Sequence, residues 1–417
     1  MSTRIRIDDL ARPVLSPVQE AALAYGASRQ VELSVDAVLA AAAARTGLED
    51  FGPPDFTERL GLWLAEMNAD EDRTGLGRLT MFGDCTRYAA NRLRVLDLLA
   101  RHPEIHDVEI RRPIIVVGLP RSGTTHLLNL LAADQRLRSL PLWESYEPVA
   151  DEGEAPGPNG VDPRWQRCQQ AWEGMQLTAP HAVAMHPMAP DHIHEELELE
   201  NSDFSSYHPE WVSRCPGWRD YYLAHDQTPH YRWMLTNLKI LQWRRPRERW
   251  VLKSPQHLEQ LGPLLSTFPD ATIVVTHRDP VSVIQSAATM MTYSARLSYH
   301  HTRPDYYIDY WRDRIRRLLA SSVRDRHLVP AERSYDVAFH EFMANDMATV
   351  EHIYQVAGLP MTDTARRQID TYLSEHPRGR DGQVVYDLQS DFGVSPREVR
   401  QDFTFYTERF DVQPEVE

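Results

Sequence analysis

The sequence predicts an α/β protein in which a mainly parallel sheet is covered by helices on both faces. Residues 114–117 and 272–276 are short apolar runs rich in β-branched residues, as in strands that are buried on both sides. Helical patterns follow both runs, and strands that alternate with helices predict crossover connections and parallel pairing. We therefore expect a three-layer core of helices, sheet and helices.

The first 105 residues predict a mostly helical segment that packs on this core. Residues 17–46 are rich in alanine and helical in pattern, and residues 55–69 and 78–101 predict further helices. The rest of the chain, residues 106–417, is then expected to form the α/β domain.

A glycine-containing loop joins the first strand to its helix. Gly118 and Gly123 have the G-x-x-x-x-G spacing of a P-loop, which presents backbone N–H groups and a helix N-terminus to a phosphate. Thr124 stands where a P-loop has the lysine that reaches the β- and γ-phosphates, which argues against ATP or GTP hydrolysis. The cation is instead Arg121, whose guanidinium beside threonine hydroxyls suits an oxyanion that needs no magnesium ion. The expected fold is thus P-loop-like with a different anion site.

Residues 150–245 are predicted to form a helical insertion between strands of the sheet. The segment begins with a linker rich in Gly, Pro and acidic residues and continues with helical patterns rich in His, Trp and Tyr. Aromatic-rich insertions make good walls for an apolar pocket, and ordinary packing of large side chains explains the same composition equally well.

A second junction between a strand and a helix carries another arginine. Residues 271–277 predict a buried strand, Arg278 follows its end, and Ser286 stands eight residues later on the next helix. Two arginines at two strand-to-helix junctions indicate a ligand with more than one anionic group.

These two motifs, in this order, resemble those of sulfotransferases that use 3′-phosphoadenosine 5′-phosphosulfate (PAPS). Residues 120–125, Pro-Arg-Ser-Gly-Thr-Thr, are similar to the 5′-phosphosulfate loop of the tyrosylprotein and bacterial branches, and residues 271–290 are similar to the 3′-phosphate motif. The resemblance implies that the 5′-phosphosulfate is bound by Arg121, Ser122, Gly123, Thr124 and Thr125. It implies that Arg278 and Ser286 hold the 3′-phosphate, and that a sulfuryl group moves to the hydroxyl of a small-molecule or lipid acceptor.

The same resemblance extends to four further positions. Lys253, after a short predicted strand, is similar to the family lysine that contacts the bridging oxygen, so Lys253 and Arg121 are expected to stabilise the leaving phosphate. Phe339 resembles the aromatic residue beside adenine. Arg378 and Arg380 resemble a C-terminal basic loop near the 3′-phosphate.

Two residues are candidates for the base that deprotonates the acceptor. His257 lies near the place where cytosolic members carry a catalytic histidine, although the spacing here is Lys-x-x-x-His and theirs is Lys-x-His. Glu144 is similar in placement to the catalytic glutamate of tyrosylprotein members, and a carboxylate in a water-poor pocket can act as a base. Imidazole needs less tuning near neutral pH, which favours His257 slightly.

Other functions predict different observations. A P-loop kinase or NTPase would turn over ATP with magnesium, which the missing loop lysine disfavours, and a catalytically silent nucleotide-binding protein would bind the product nucleotide without transfer. A cluster in the insertion contains possible metal ligands: His181, His186, His192, His194, Glu195 and Glu196. Its spacing matches no zinc pattern, so no metal is predicted.

The composition limits which binding partners and which cellular compartment we expect for the protein. The chain has 417 residues, 42% of them hydrophobic, and a formal net charge of −15, so nucleic acid is not expected as a partner. Three cysteines without a pairing pattern, no signal-peptide core and no apolar run of membrane-spanning length predict a cytoplasmic protein. The oligomeric state and the identity of the acceptor stay open.

Overall fold

A five-stranded parallel sheet forms the centre of the computed structural model, which describes residues 3–380 and 382–417. In chain order the strands are β1 (Arg4–Ile5), β2 (Ile114–Gly118), β3 (Leu137–Arg138), β4 (Arg249–Lys253), β5 (Thr272–His277), β6 (Ser334–Ala338) and β7 (Gln383–Val384). The sheet order is β3-β4-β2-β5-β6 with every neighbouring pair parallel, while β1 and β7 form a separate parallel pair. The predicted α/β fold with a mainly parallel sheet is confirmed.

The register of the sheet aligns the carboxyl ends of its central strands. Val116 of β2 pairs with Lys253 of β4, and Gly118 of β2 pairs with Thr276 of β5. The chain leaves β2 towards β3 on one side, and the connection from β4 crosses to β5 on the other side. In an open parallel sheet, ligands bind at the carboxyl edge where the strand order changes direction.

Alternating residues of β2 explain why this strand is apolar throughout. Ile115 and Val117 are buried in the core on one face of the sheet, and Ile114 and Val116 are buried in the core on the other. A strand covered on both faces by helices has no position that favours a polar side chain. The sequence pattern therefore identified β2 correctly.

Helices make up most of the remaining structure. In chain order they are α1 (Pro17–Ala27), α2 (Val35–Thr46), α3 (Phe56–Ala69), α4 (Gly75–Arg101), α5 (Thr124–Ala132), α6 (Leu142–Tyr146), α7 (Pro163–Thr178), α8 (Pro180–Met185), α9 (Leu197–Glu200), α10 (Pro209–Val212) and α11 (Pro216–Ala224). They continue with α12 (Thr228–Arg244), α13 (Leu261–Thr267), α14 (Pro280–Ser298), α15 (Pro304–Asp325), α16 (Phe339–Ala344), α17 (Asp346–Ala357), α18 (Asp363–Glu375), α19 (Leu388–Phe392), α20 (Pro396–Gln401) and α21 (Thr404–Thr407). Several of them begin with proline. Proline lacks a backbone N–H, and this costs nothing at the first helical position because an N–H there has no acceptor within the helix.

The helices form two layers around the sheet. Leu127 of α5, Ile353 of α17 and Ile369 of α18 belong to the core on one face. The larger core on the other face contains residues of α4, α12, α13, α14 and α15, and the N-terminal helices α2 and α3 contribute to it as well. The three-layer arrangement is thus built from both the α/β part and the N-terminal helices.

Two local predictions are wrong. Residues 17–46 form two helices, because α1 ends at Ala27 and α2 begins after Ser34, whose hydroxyl accepts a hydrogen bond from the Ala37 amide at 3.2 Å and caps the helix. The sequence pattern also predicts a last core strand over residues 337–339, but β6 (Ser334–Ala338) ends at Ala338 and Phe339 begins α16. In the described ranges, no helix is long and apolar enough to cross a membrane.

Candidate functional site

A cavity of about 560 Å³ lies at the carboxyl edge of the sheet. Its cationic side, as we call it, contains predicted site residues: Arg121, Gly123, Thr124, Thr125, Lys253, Arg278, Phe339 and Arg378. Its methionine side is lined mainly by apolar residues: Met175, Met188, Leu197, Trp211, Val212, Met290 and Met291. The structure therefore brings residues that are far apart in the sequence to one cavity with two chemically different sides.

Two hydroxyl groups, those of Ser122 and Thr276, support the loop after β2. The Ser122 hydroxyl donates to the Leu119 carbonyl at 2.6 Å and lies 2.9 Å from the hydroxyl of Thr276 on β5. A Cβ atom at Gly118 would lie 2.0 Å from that Thr276 hydroxyl, so position 118 requires glycine. Ser122 itself is fully buried and supports the loop without lining the cavity.

The loop backbone is arranged to receive an anion. Arg121 has a φ of 64°, a left-handed conformation that costs a non-glycine residue free energy and clusters at functional sites. Gly123 has a φ of 80° and precedes α5, which begins without a side-chain cap. The amides of the first turn of α5 are therefore available at the positive end of the helix dipole, where anions bind.

The two predicted motifs are in direct contact. The Arg121 Nε donates to the Ser286 hydroxyl at 3.1 Å, and its Nη1 donates to the Met185 carbonyl. The Arg278 Nη1 donates to the Arg121 carbonyl, and the Arg278 guanidinium lies 4.0 Å above the Phe339 ring. Phe339 thus holds Arg278 in place by a cation–π contact.

A carboxylate from the C-terminal segment forms an ion pair with Arg278. Glu415 accepts two hydrogen bonds from Arg278, at 2.8 Å and 2.7 Å, in a bidentate ion pair. The Glu415 amide also donates to Asp279 at 2.8 Å, which fixes this segment beside the end of β5. A bidentate carboxylate has the same charge sign and similar geometry to a phosphate on an arginine.

Lys253 connects the end of β4 to the start of α5. It is 2% exposed, and its Nζ lies 3.3 Å from the Thr125 hydroxyl and forms an ion pair with Glu195. The Lys253 amide donates to Glu196 at 2.9 Å, which fixes the backbone at the strand end. A surface lysine would be exposed, whereas this one is aimed into the cavity.

The structure corrects the expected position of both predicted bases. The His257 ring is fully buried: its Nδ1 lies 2.7 Å from the Tyr231 hydroxyl and its Nε2 lies 2.6 Å from Glu196. Glu144 is buried and accepts hydrogen bonds from Arg138 at 2.7 Å and Arg245 at 3.0 Å. In the part of the chain that the structure describes, neither residue lines the cavity; both nitrogens of His257 have partners, and Glu144 is bound through one oxygen to two arginines.

Sequence analysis grouped His186, His194 and Glu195 in a histidine-rich cluster without giving them a role, and all three line the cavity. Burial and the nearby positive groups, which include Arg121 and Lys253, lower the pKa of His186 to about 3. Burial also lowers the pKa of His194 well below its ordinary value. Both rings are therefore neutral near pH 7 and accept protons poorly. The histidine-rich pattern was visible in the sequence, but it gave no sign of which residues would reach the cavity.

The remaining predicted residues differ in position. Arg378 lines the cavity, donates to the Met343 carbonyl at 2.9 Å and forms an ion pair with Asp346. Arg380 is exposed and lies outside the cavity lining. Among the described residues, no group of three or more His, Cys, Asp or Glu is arranged to hold a metal ion.

Comparisons with known proteins agree on one family. The model of the sulfotransferase family matches residues 113–363. Sulfotransferase STF9 from Mycobacterium avium superimposes with a TM-score of 0.82 and 26% identity, covering 93% of this chain and all of the other. Sulfotransferase STF1 from Mycobacterium tuberculosis H37Rv gives a TM-score of 0.75 and 28% identity, covering 89% and 98% of the two chains.

A curated relative adds a named activity. The chain is 23% identical over 298 residues, 63% of its own length and 67% of the relative's, to the omega-hydroxy-beta-dihydromenaquinone-9 sulfotransferase Stf3 of Mycobacterium tuberculosis. Because the family model covers more than half of the chain, the kinase or NTPase alternative is set aside. The chain belongs to the sulfotransferase family and is an enzyme that transfers a sulfuryl group to a small-molecule or lipid acceptor.

Proposed function

We propose that the donor is PAPS and that its nucleotide lies along the cationic side of the cavity. The observation that carries this proposal is the contact between the two motifs, since Arg121 and Arg278 line one cavity and are hydrogen-bonded to each other's segment. The protein has a net charge of −15, so this local concentration of cations is unusual for its surface. A ligand with several anionic groups explains it.

The 5′-phosphosulfate binds at the loop and the start of α5. The helix amides, the Arg121 guanidinium and the hydroxyls of Thr124 and Thr125 provide donors for its oxygens. In the transfer, the acceptor oxygen bonds to sulfur while the bond from sulfur to the bridging oxygen breaks, and that oxygen leaves with the phosphate. Negative charge grows on the leaving oxygen, and Lys253, beside Thr125, is placed to stabilise it.

The 3′-phosphate binds at the other end of the cationic side. Arg278, Ser286 and Arg378 are the donors that we assign to it, and Phe339 keeps the Arg278 guanidinium in place. Glu415 must leave Arg278 before the phosphate can bind, because both ligands use the same face of the guanidinium. Arg380 lies outside the cavity lining, and we assign it only a weak electrostatic contribution to phosphate binding.

We assign the role of base to Glu195 instead of His257 or Glu144. Glu195 lines the cavity and touches Lys253, so an acceptor hydroxyl beside Glu195 is also beside the expected position of the reacting sulfur. One Glu195 oxygen binds Lys253, and among the described residues the other has no hydrogen-bond partner. When Lys253 turns to the bridging oxygen, the Glu195 carboxylate is free to take the acceptor proton.

The nucleotide proposal is tested by calorimetry and by a transfer assay. We expect the desulfonated product 3′-phosphoadenosine 5′-phosphate (PAP) to bind more tightly than ATP or ADP, without a magnesium requirement. We also expect radiolabelled sulfate to pass from PAPS to apolar alcohols. Tighter binding of ATP, or of adenosine 5′-phosphosulfate than of PAPS, would contradict the assignment of the two phosphate sites.

The role of Lys253 is tested separately. Lys253→Ala should lower kcat by about 10²–10³ while PAP affinity changes little, because the lysine contact strengthens as the bridging oxygen gains charge. Arg316→Ala, which removes an exposed cation on α15, is the matched control and should leave both quantities unchanged. An equal loss of affinity and turnover in Lys253→Ala would assign it to ground-state binding instead.

The acceptor is placed against the methionine side. Its wall of methionine and other apolar residues suits an apolar alcohol, since unbranched thioether side chains adapt to irregular ligands. The curated relative, named for an omega-hydroxylated dihydromenaquinone, is consistent with a lipid-like acceptor. Cytoplasmic location stays a prediction.

A further inference from the structure

A second polar cluster, which we call the Asp84 cluster, lies in the same cavity away from the predicted phosphate sites. It consists of Asp84 and Arg87 on α4, Glu198 on α9 and His208 before α10, all of which line the cavity. None of the steps assigned above uses these residues. One of them is close in sequence to the proposed reaction site, because Glu198, in α9, follows Glu195 by three residues.

Arg87 is held at the centre of the cluster by aromatic rings. Its guanidinium lies 4.6 Å from the Tyr88 ring and 4.4 Å from the Tyr146 ring. Its hydrogen bonds are all long: 3.4 Å to Asp84, 3.5 Å to Glu198 and 3.3 Å to the Tyr146 carbonyl. Charge-assisted bonds of this kind are usually about 2.7–2.9 Å long, so Arg87 is fixed in position without saturating the two carboxylates.

The two carboxylates differ in how well they are satisfied. Glu198 is almost fully buried, accepts a hydrogen bond from Asn201 at 3.2 Å and lies 3.5 Å from His208 as well as from Arg87. Among the residues that the structure describes, the one hydrogen-bond donor to Asp84 is Arg87 at 3.4 Å, and the Asp84 side chain is 29% exposed. Burial raises the pKa of Asp84 in spite of the neighbouring Arg87. Asp84 is thus the member of the cluster that lacks a close donor.

The composition of the cluster determines which kind of ligand group can provide the hydrogen-bond donor that Asp84 lacks. Asp84 and Glu198 place two carboxyl groups beside the single guanidinium of Arg87. A hydroxyl or an amine can donate to an Asp84 oxygen, whereas a carboxylate on the ligand has no hydrogen to donate to either carboxyl group. The apolar side chains beside the cluster, such as Leu197 and Met188, exclude water and strengthen that discrimination.

We propose that the acceptor is an apolar alcohol with a second hydrogen-bond donor, a hydroxyl or an amine, and that Asp84 binds this donor. Asp84 is then a specificity-determining residue of the sulfotransferase: the first hydroxyl lies at Glu195, the apolar body contacts the methionine side, and the second donor satisfies Asp84. This inference rests on the proposed function, because it takes the position of the reacting hydroxyl from Glu195 and Lys253.

The test compares three series of straight-chain probes of matched length in the PAPS transfer assay: 1-alkanols, α,ω-diols and ω-hydroxy acids. At the best chain length we expect kcat/KM for the diol to exceed that for the alkanol by about tenfold or more, with the hydroxy acid the poorest. Asp84→Ala should bring the ratio of diol to alkanol to about one. Asp84→Asn, which keeps an acceptor oxygen, should retain part of the diol preference and lose part of the rejection of the acid.

The controls separate specificity from folding and from the donor site. Asp97→Ala removes a carboxylate of equal exposure on the same helix α4, which pairs with Arg101 and does not line the cavity, and it should leave the diol ratio unchanged. PAP affinity, measured on every variant, should stay at the wild-type value. A ratio that Asp84→Ala leaves unaltered, or a wild-type enzyme that prefers alkanols, overturns the inference. PAP binding without transfer to any probe rejects the acceptor class, whereas failure to bind PAP rejects the proposed function itself.

Discussion

The two sides of the cavity are built in different ways. The cationic side comes mainly from the ends of β2, β4 and β5, where short local motifs place Arg121, Lys253 and Arg278 on adjacent strands. The methionine side and the Asp84 cluster come from α4, the insertion and α14, which meet only in the folded chain. Under the proposed function, the comparison teaches that the donor site is fixed by the sheet register, while the acceptor site is built by helices that can vary independently.

The largest expected effect is the loss of turnover on substitution of Glu195, the proposed base. Glu195→Gln keeps an oxygen that can accept the Lys253 hydrogen bond but cannot take up a proton, so we expect kcat to fall by about 10²–10⁴ with PAP affinity nearly unchanged. The measurement is the radiolabelled transfer assay at saturating PAPS. Glu144→Gln and His257→Asn serve as comparisons, and we expect them to reduce thermal stability more than turnover, since both wild-type groups are buried and hydrogen-bonded outside the cavity lining.

A normal rate in Glu195→Gln would remove it from the mechanism.

Removing an anchor of the cationic side should have the next largest effect. Arg278→Ala should weaken PAP binding by about 1.5–3 kcal/mol, as expected for the loss of a charge-assisted contact. Adenosine 5′-phosphosulfate, which lacks the 3′-phosphate, should bind wild type and variant equally in the same calorimetric experiment. Equal weakening of both ligands would show that Arg278 acts on the loop through the Arg121 carbonyl and not on the 3′-phosphate.

The burial of His186 beside positive groups should also be visible in acid stability. Burial and the nearby cations hold the pKa of His186 at about 3, against about 6.5 in the unfolded chain. Between these values the unfolded state binds a proton that the folded state excludes, so stability falls as the pH falls, by about 1.4 kcal/mol per pH unit from this residue. Urea unfolding of His186→Gln should therefore show a shallower loss of stability from neutral pH to about pH 4, while the exposed His106→Gln should match wild type. Parallel curves for wild type and His186→Gln would contradict this.

The smallest expected effect concerns the Glu415 ion pair. This pair is partly exposed, so breaking it should change the binding free energy by about 1 kcal/mol or less. Glu415→Gln should tighten PAP binding by about two- to fivefold, because the 3′-phosphate no longer displaces a carboxylate from Arg278. Glu417→Gln, a change of the same kind in the same segment, should have no effect. Weaker PAP binding in Glu415→Gln would show that the glutamate positions Arg278 instead of competing for it.

The difference between the two sides also explains how much the sequence could predict. Gly118, Arg121 and Arg278 are recognisable because a strand, a loop and a helix that follow one another carry the whole geometry. Glu195 and Asp84 gave no such signal, since their roles depend on contacts between segments far apart in the chain. The family spacing pointed to His257, but the 3₁₀ turn Pro255–Glu259 directs its ring to Tyr231 and Glu196, away from the cavity.

In the proposed function, Glu415 is a tethered competitor of the nucleotide for Arg278. A carboxylate attached to the chain returns to Arg278 at a high effective concentration, without the diffusion that a free anion needs. It opposes donor and spent product alike, because both carry the 3′-phosphate. Where release of the product nucleotide limits the rate of turnover, such a competitor lowers the affinity for the nucleotide and speeds product release.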